Sequence, residues 1–109
     1  AAHITGGGLP EKLGRMLRPS GCGVWLEELY KPSRIVAFCQ DIGGVSDIDA
    51  YRTWNMGQGM AIVTPEPHTV IYEAHRLGFH AKVAGMTTKE PGIRLVSRGM
   101  QKPGETLTF

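Results

Sequence analysis

Cysteine is nearly absent from this 109-residue chain: Cys22 and Cys39 are the only two. That is too few for the disulfide framework that holds small secreted domains together. Cys39 falls on the apolar face of an expected helix, where a free thiol behaves as a small hydrophobe, so no bridge is expected. Long apolar runs are missing as well. Stretches such as Met60-Ala61-Ile62-Val63 are a few residues long, against the ~20 needed to cross a bilayer. The N-terminus shows no basic region followed by an apolar core, hence no signal peptide, and a cytoplasmic location with no membrane partner is expected. Charge of one sign is scarce: the net charge is +2, with Lys and Arg spread along the chain. Such a surface has no electrostatic footprint for nucleic acid. The opening Ala1-Ala2-His3 carries no Met, as a trimmed or truncated chain would.

Several chemical signatures are also lacking. His3, His68, His75 and His80 have no metal-ligand spacing, so no metal site is expected on this chain. There is no G-x-S-x-G elbow, no Cys/His nucleophile signature and no Asp-rich magnesium run.

What is present is an ordinary globular composition, 41% hydrophobic and 20% charged, in one domain at most. A chain of this length buries roughly 60–70% of its unfolded surface. Fifteen glycines concentrate at Gly6-Gly7-Gly8, Gly43-Gly44, Gly57 and Gly59, and at the ends of expected elements. A helix is predicted from Leu9 to Leu17, with Pro10 in its first turn and Leu13, Met16 and Leu17 at helical spacing. Val24 to Leu29 reads as a strand. Pro32 starts the clearest helix, with Ile35, Phe38, Cys39 and Ile42 in one apolar stripe and Gly43 as its stop. Ser46 caps a short helix through Tyr51, with Asp47 and Asp49 in its first turn. Gly59 to Thr64 reads as a buried strand. Glu66 to Leu77 reads as a helix with Val70, Ile71, Ala74 and Leu77 inward, capped by Gly78. Strands at His80 to Met86 and Ile93 to Ser97 are joined by a turn at Glu90-Pro91-Gly92, and residues 101–109 form a tail with no strong pattern. The order predicts an α+β fold, a mixed and mainly antiparallel sheet covered by helices.

Two segments carry candidate chemistry. In His3-Ile4-Thr5-Gly6-Gly7-Gly8-Leu9-Pro10 a glycine run leads into a helix. Side-chain-free residues let backbone amides face a ligand, and the helix N-terminus behind them adds partial positive charge and unpaired donors. Phosphate suits such a turn; Thr5 adds a hydroxyl, and His3 is a candidate general acid–base group. Glu11 in the first turn opposes an anion. The run is neither the Walker pattern nor G-x-G-x-x-G, and a flexible turn before a helix explains it equally. In the second segment, Arg52-Thr53-Trp54-Asn55-Met56-Gly57-Gln58-Gly59-Met60, the glycines leave room for a ligand beside Asn55. A bulge leading into a strand, with Trp54 and Met56 in the core, is the other reading.

In order and separation, these two segments resemble aminoimidazole ribonucleotide synthetase, the phosphoribosylformylglycinamidine cyclo-ligase family. The Pro32 helix, Gly43-Gly44-Val45-Ser46 and Lys82-Val83-Ala84-Gly85 follow in the same sequence, so the likeness spans almost the whole chain. It implies residues 1–100 as the C-terminal portion of the domain that completes the substrate and ATP cleft, with 101–109 as tail. The family closes the imidazole ring of a purine precursor: ATP activates the formyl oxygen of formylglycinamidine ribonucleotide, an amine attacks, and ADP and phosphate leave. Thr5, Gly6, Gly7 and Gly8 would line the cleft against phosphate or substrate, with Asn55 and Gly57 near it and His3 catalytic. ATP and Mg2+ would be held mostly by an N-terminal domain that this chain lacks. The family also implies a homodimer, and exposed apolar surface would drive self-association. Alone the chain is expected to be inactive. Lys12, Tyr30, Trp54 and Gln58 depart from the family's usual Asn, Trp, Phe and aliphatic residue. Sister ATP-dependent enzymes (formylglycinamidine ribonucleotide synthetase, thiamine monophosphate kinase, selenide water dikinase) and a non-catalytic ferredoxin-like ligand-binding module are the alternatives.

Overall fold

The computed structural model describes residues 1–109. Its elements are β1 (Ala2–His3), α1 (Gly8–Leu17), a 3-10 turn (Arg18–Ser20), β2 (Gly23–Leu26), α2 (Arg34–Gly43), α3 (Asp47–Thr53), β3 (Met60–Ala61), α4 (Pro67–Arg76), β4 (Gly85–Thr88), β5 (Gly92–Val96) and β6 (Thr106–Thr108). Four strands form the main sheet in the order β4-β2-β5-β6, and β1 pairs with β3 in a separate ribbon. Only β2 and β5 run parallel; the other pairs are antiparallel. The fold is therefore the expected α+β, with a mixed, mainly antiparallel sheet.

Leu9, Leu13 and Leu17 recur every four residues on α1 and are buried. They join Val24, Leu26, Ile93, Leu95 and Leu107 of the sheet, and Ala50 and Tyr51 of α3, in one core. Alternation along β5 puts Ile93 and Leu95 on that inner face and Arg94 outside. Ser46 caps α3 as expected: its hydroxyl accepts from the Asp49 amide at 3.2 Å.

Five local expectations are corrected. The strands flanking Glu90-Pro91-Gly92 do not form a hairpin, because β2 lies between them. The connection crosses the start of β2 at Gly23, where a Cβ would stand 2.2 Å from the Glu90 carbonyl and 2.5 Å from that of Gly92; only glycine lets the turn pass. Strand β4 begins later than expected, at Gly85 rather than His80. The expected buried strand at 59–64 is the two-residue β3, with Met60, Ile62 and Val63 exposed, because its one partner, β1, is equally short. The apolar stripe of α2 faces outward: Ile35, Phe38 and Ile42 are exposed, as is Cys39, since no element of this chain covers them; of the stripe expected on α4, Leu77 is exposed while Val70, Ile71 and Ala74 are half-buried. The C-terminal residues are ordered: β6 pairs with β5 and buries Leu107, whose apolar side chain meets the inward Leu95.

Candidate functional site

The β1–β3 ribbon brings together the two glycine segments. Ala2 lies opposite Ala61 and His3 opposite Met60, and the Ile4 amide donates to the Gly59 carbonyl at 3.0 Å. Where the ribbon ends, the chain turns into α1. The Gly8 amide closes this turn on the Thr5 carbonyl at 2.9 Å. Gly8 is buried with φ +65°, and a Cβ there would meet the Tyr51 carbonyl oxygen at 1.9 Å. Its requirement is thus internal, set by the close approach of α1 and α3. Thr5 and Gly6 are exposed, and nothing lies within 4 Å of a Cβ built on Gly6. The amides of Gly6 and Gly7 donate to no protein acceptor. They stand at the N-terminal end of α1, where orphan donors and the helix dipole favour an anion.

The turn already has an anion beside it. Glu11 folds back from the first turn so that its carboxylate occupies the space a Gly7 side chain would need, and Arg15 holds it at 2.7 Å. A phosphate at this turn would meet that carboxylate unless Glu11 swings away, a motion its 45% side-chain exposure permits.

The second segment is held by its own hydrogen bonds. Asn55 is exposed and uses Oδ1 to accept from the Gly57 amide at 3.1 Å, leaving its Nδ2 donor free. Gly57, at φ +90°, lies against the Lys31 backbone, where a Cβ would be 2.2 Å from the carbonyl oxygen. Gln58 is buried. Its Nε2 donates to the carbonyls of Tyr30 at 2.9 Å and Met56 at 2.6 Å, and its Oε1 accepts from the Tyr30 amide at 3.0 Å. An aliphatic side chain could do none of this, so the departure at position 58 locks the segment after β2 onto the loop before β3. Of the candidate residues, His3, Thr5, Gly6 and Asn55 are open to solvent, Gly7 and Gly57 are half-buried, and Gly8 lies beneath the turn.

Sequence reading missed a buried polar knot behind this site. Asp47 is 4% exposed. Its Oδ1 accepts from Gln40 Nε2 at 2.7 Å and the Gln101 amide at 3.0 Å. Its Oδ2 accepts from the Ser97 hydroxyl at 2.5 Å and the Lys102 amide at 3.1 Å. Burial pushes the carboxyl's pKa up, but these hydrogen bonds outweigh it and hold the pKa below the ordinary carboxylate range. Gln40 Oε1 accepts from the Met100 amide at 3.1 Å, Ser97 Oγ from the Gly99 amide at 3.0 Å, and the Tyr51 hydroxyl from the Arg98 amide at 3.1 Å. Burial raises the Tyr51 phenol's pKa. All five successive amides from 98 to 102 are thus satisfied by side chains, and the β5–β6 connection is fixed to α2 and α3. No local signal pairs positions 40, 47 and 97; Asp47 reads as a helix-start residue whether buried or not.

A cavity of about 370 Å³ runs along α1, lined by Pro10, Gly14, Leu17, Arg18, Ile93 and Phe109 among others. None of His3, Thr5, Gly6, Gly7, Gly8, Asn55 or Gly57 lines it, so it is not part of the candidate site.

The family model described as AIR synthase related protein, C-terminal domain, matches residues 1–98. Three similar curated proteins are each named phosphoribosylformylglycinamidine cyclo-ligase. That of Shouchella clausii is 45% identical over 61% of this chain and 19% of its own length. That of Synechococcus sp. (strain CC9902) is 38% identical over 83% and 27%. That of Synechococcus sp. (strain CC9605) is 33% identical over 91% and 30%. The chain therefore spans less than a third of these relatives. With the model covering nearly every residue, and both glycine segments meeting across one ribbon, the chain belongs to the AIR synthase related C-terminal domain family.

Proposed function

We propose that this chain forms the phosphate-facing wall of a phosphoribosylformylglycinamidine cyclo-ligase, the ATP-dependent enzyme that closes formylglycinamidine ribonucleotide to aminoimidazole ribonucleotide in purine biosynthesis. The observation that carries this reading is the exposed Thr5–Gly7 turn, whose free amides sit at a helix N-terminus beside the Asn55–Gly59 loop. In this reading Thr5, Gly6 and Gly7 donate to a phosphate oxygen. Gly8 and Gly57 allow the backbone approaches that shape the turn and the loop. Asn55 offers its free Nδ2 to substrate, and His3, exposed on β1, moves a proton at the reacting end. The relatives' names support the cyclo-ligase over the sister enzymes and over a non-catalytic module.

Residues 1–100 then act as the C-terminal portion of the cleft domain, with 101–109 completing it, and the N-terminal portion of the longer protein is the obligate partner. ATP binds across that junction. No three His, Cys, Asp or Glu side chains converge on this chain, so its residues do not fit a magnesium cage and no step is assigned to the ion here. A cytoplasmic homo-oligomer of that longer protein belongs to the same reading.

The test is reconstitution. The chain is combined with the complementary N-terminal portion of a relative, and phosphate release is followed with ATP and formylglycinamidine ribonucleotide. Release that requires both substrates and falls at least tenfold in Gly6→Val supports the proposal. A folded complex that releases no phosphate sinks it.

A further inference from the structure

We propose that Arg98 and Lys82 form a second oxyanion site, in which the Glu28 carboxylate stands where a phosphate monoester would bind. Arg98 Nη2 and Lys82 Nζ converge on the same Glu28 oxygen from 3.7 and 3.9 Å, both too long for hydrogen bonds. The two cationic side chains are about one-third exposed, whereas Glu28 is 66% exposed. A carboxylate that far into water is easily exchanged for another anion.

Neither cation is satisfied. Lys82 lies over the Tyr30 ring, 4.8 Å from its centroid, and makes one long bond, 3.4 Å, to the Leu29 carbonyl. Arg98 Nε is buried with no acceptor. A guanidinium fork and an ammonium matched to one carboxylate oxygen leave positive charge and donors in excess, and a dianionic phosphate with three acceptor oxygens matches them better.

The site is also held in place. The Arg98 amide is bound by the Tyr51 hydroxyl, and the residues after it by Gln40, Asp47 and Ser97. Gln58 clamps Tyr30 at both its amide and its carbonyl. Binding would therefore require little ordering of the backbone. These observations are independent of the glycine turn.

The experiment titrates the 15N-labelled chain with inorganic phosphate at constant ionic strength, following amide shifts by NMR. The expected result is one binding curve shared by the amides of Glu28, Tyr30, Lys82 and Arg98. Affinity should fall about fivefold or more in Arg98→Gln and in Lys82→Gln, and rise roughly three- to tenfold in Glu28→Gln, which removes the competing charge. An internal ion-pair network would predict otherwise: Glu28→Gln would leave phosphate affinity unchanged, and that result overturns the proposal. Should Arg98→Gln fail to fold, the Lys82 and Glu28 variants decide. Shifts at Gly6 and Gly7 report the glycine turn separately, so the two sites stand or fall apart.

Discussion

Replacing Asp47 by Asn keeps the shape of the side chain and removes its charge, which makes it the sharpest probe of the buried knot. Four donors end on this carboxylate: the Ser97 hydroxyl, the Gln40 amide group and the backbone amides of Gln101 and Lys102. Asn retains one acceptor oxygen and turns an NH2 toward the other two donors. Ser97 can rotate to accept, but one backbone amide then faces a donor in a buried site. A hydrogen bond to a charged group is worth about 1.5–3 kcal/mol net, and an orphaned buried donor costs about 1–3 kcal/mol. One such bond lost and one weakened come to roughly 2–4 kcal/mol, a large share of a total stability of about 5–15 kcal/mol. Urea unfolding followed by tryptophan fluorescence measures it. The pH dependence supplies a second signature. The folded pKa of Asp47 is depressed, so its contribution is complete above the unfolded value near 3.9 and is lost as pH falls through the lower folded value. The stability gap between wild type and Asp47→Asn should be constant from pH 7 to 5 and close below about pH 4. A gap under about 0.5 kcal/mol at pH 7, or one that persists unchanged to pH 2, would refute the account of the knot.

Three further outcomes are expected. Gly8→Ala places a Cβ 1.9 Å from the Tyr51 carbonyl at φ +65° and should cost about 3 kcal/mol or more or prevent folding, while Gly6→Ala, with open space around it, should shift the thermal midpoint little; equal midpoints for the two would contradict the packing of α1 on α3. Gln58→Leu strands the Tyr30 amide and the Tyr30 and Met56 carbonyls and should destabilise by about 2–4 kcal/mol in chemical denaturation; a neutral result would show that the aliphatic residue usual in the family is equally at home here. Glu11→Gln removes the carboxylate folded over the Gly7 turn and should strengthen inorganic phosphate binding at the Gly6 and Gly7 amides roughly three- to tenfold by NMR titration; unchanged or weaker binding would mean that Glu11 does not compete for the turn.

How much of this was legible depends on whether the cause is local. The Pro10 start of α1, the Ser46 cap and the glycine turn follow from chemistry within a few residues, and all three stand where expected. The bonds from Asp47 to Ser97 and from Gln40 to the Met100 amide, and the insertion of β2 between β4 and β5, join residues 50 or more positions apart, and no periodicity encodes them. Gln58 shows the same limit: polar beside two glycines, it reads as a loop residue facing a cleft, and it is instead a buried clamp.

Helix α2 makes the distinction sharpest. Its 3.6-residue period is real: Ile35, Phe38, Cys39 and Ile42 lie on one stripe. At 100° per residue, Gln40 sits about 150° round from the centre of that stripe. Yet Gln40 is the helix's one buried residue, and Val36, on the same flank, is the apolar side chain that packs against the core. The helix therefore joins this chain by its polar flank, through Gln40 to Asp47 and the Met100 amide, and turns its apolar stripe outward. Periodicity says that a face is made to be covered, but it does not say by what. Leaving Ile35, Phe38 and Ile42 at 66%, 59% and 71% exposure forgoes roughly 1–2 kcal/mol per side chain. A helix that spends its polar side on the local fold and keeps its apolar side free is a helix between two bodies. The chain spans 19–30% of its matched relatives, and the longer protein proposed above is the reading that supplies a second body for this stripe.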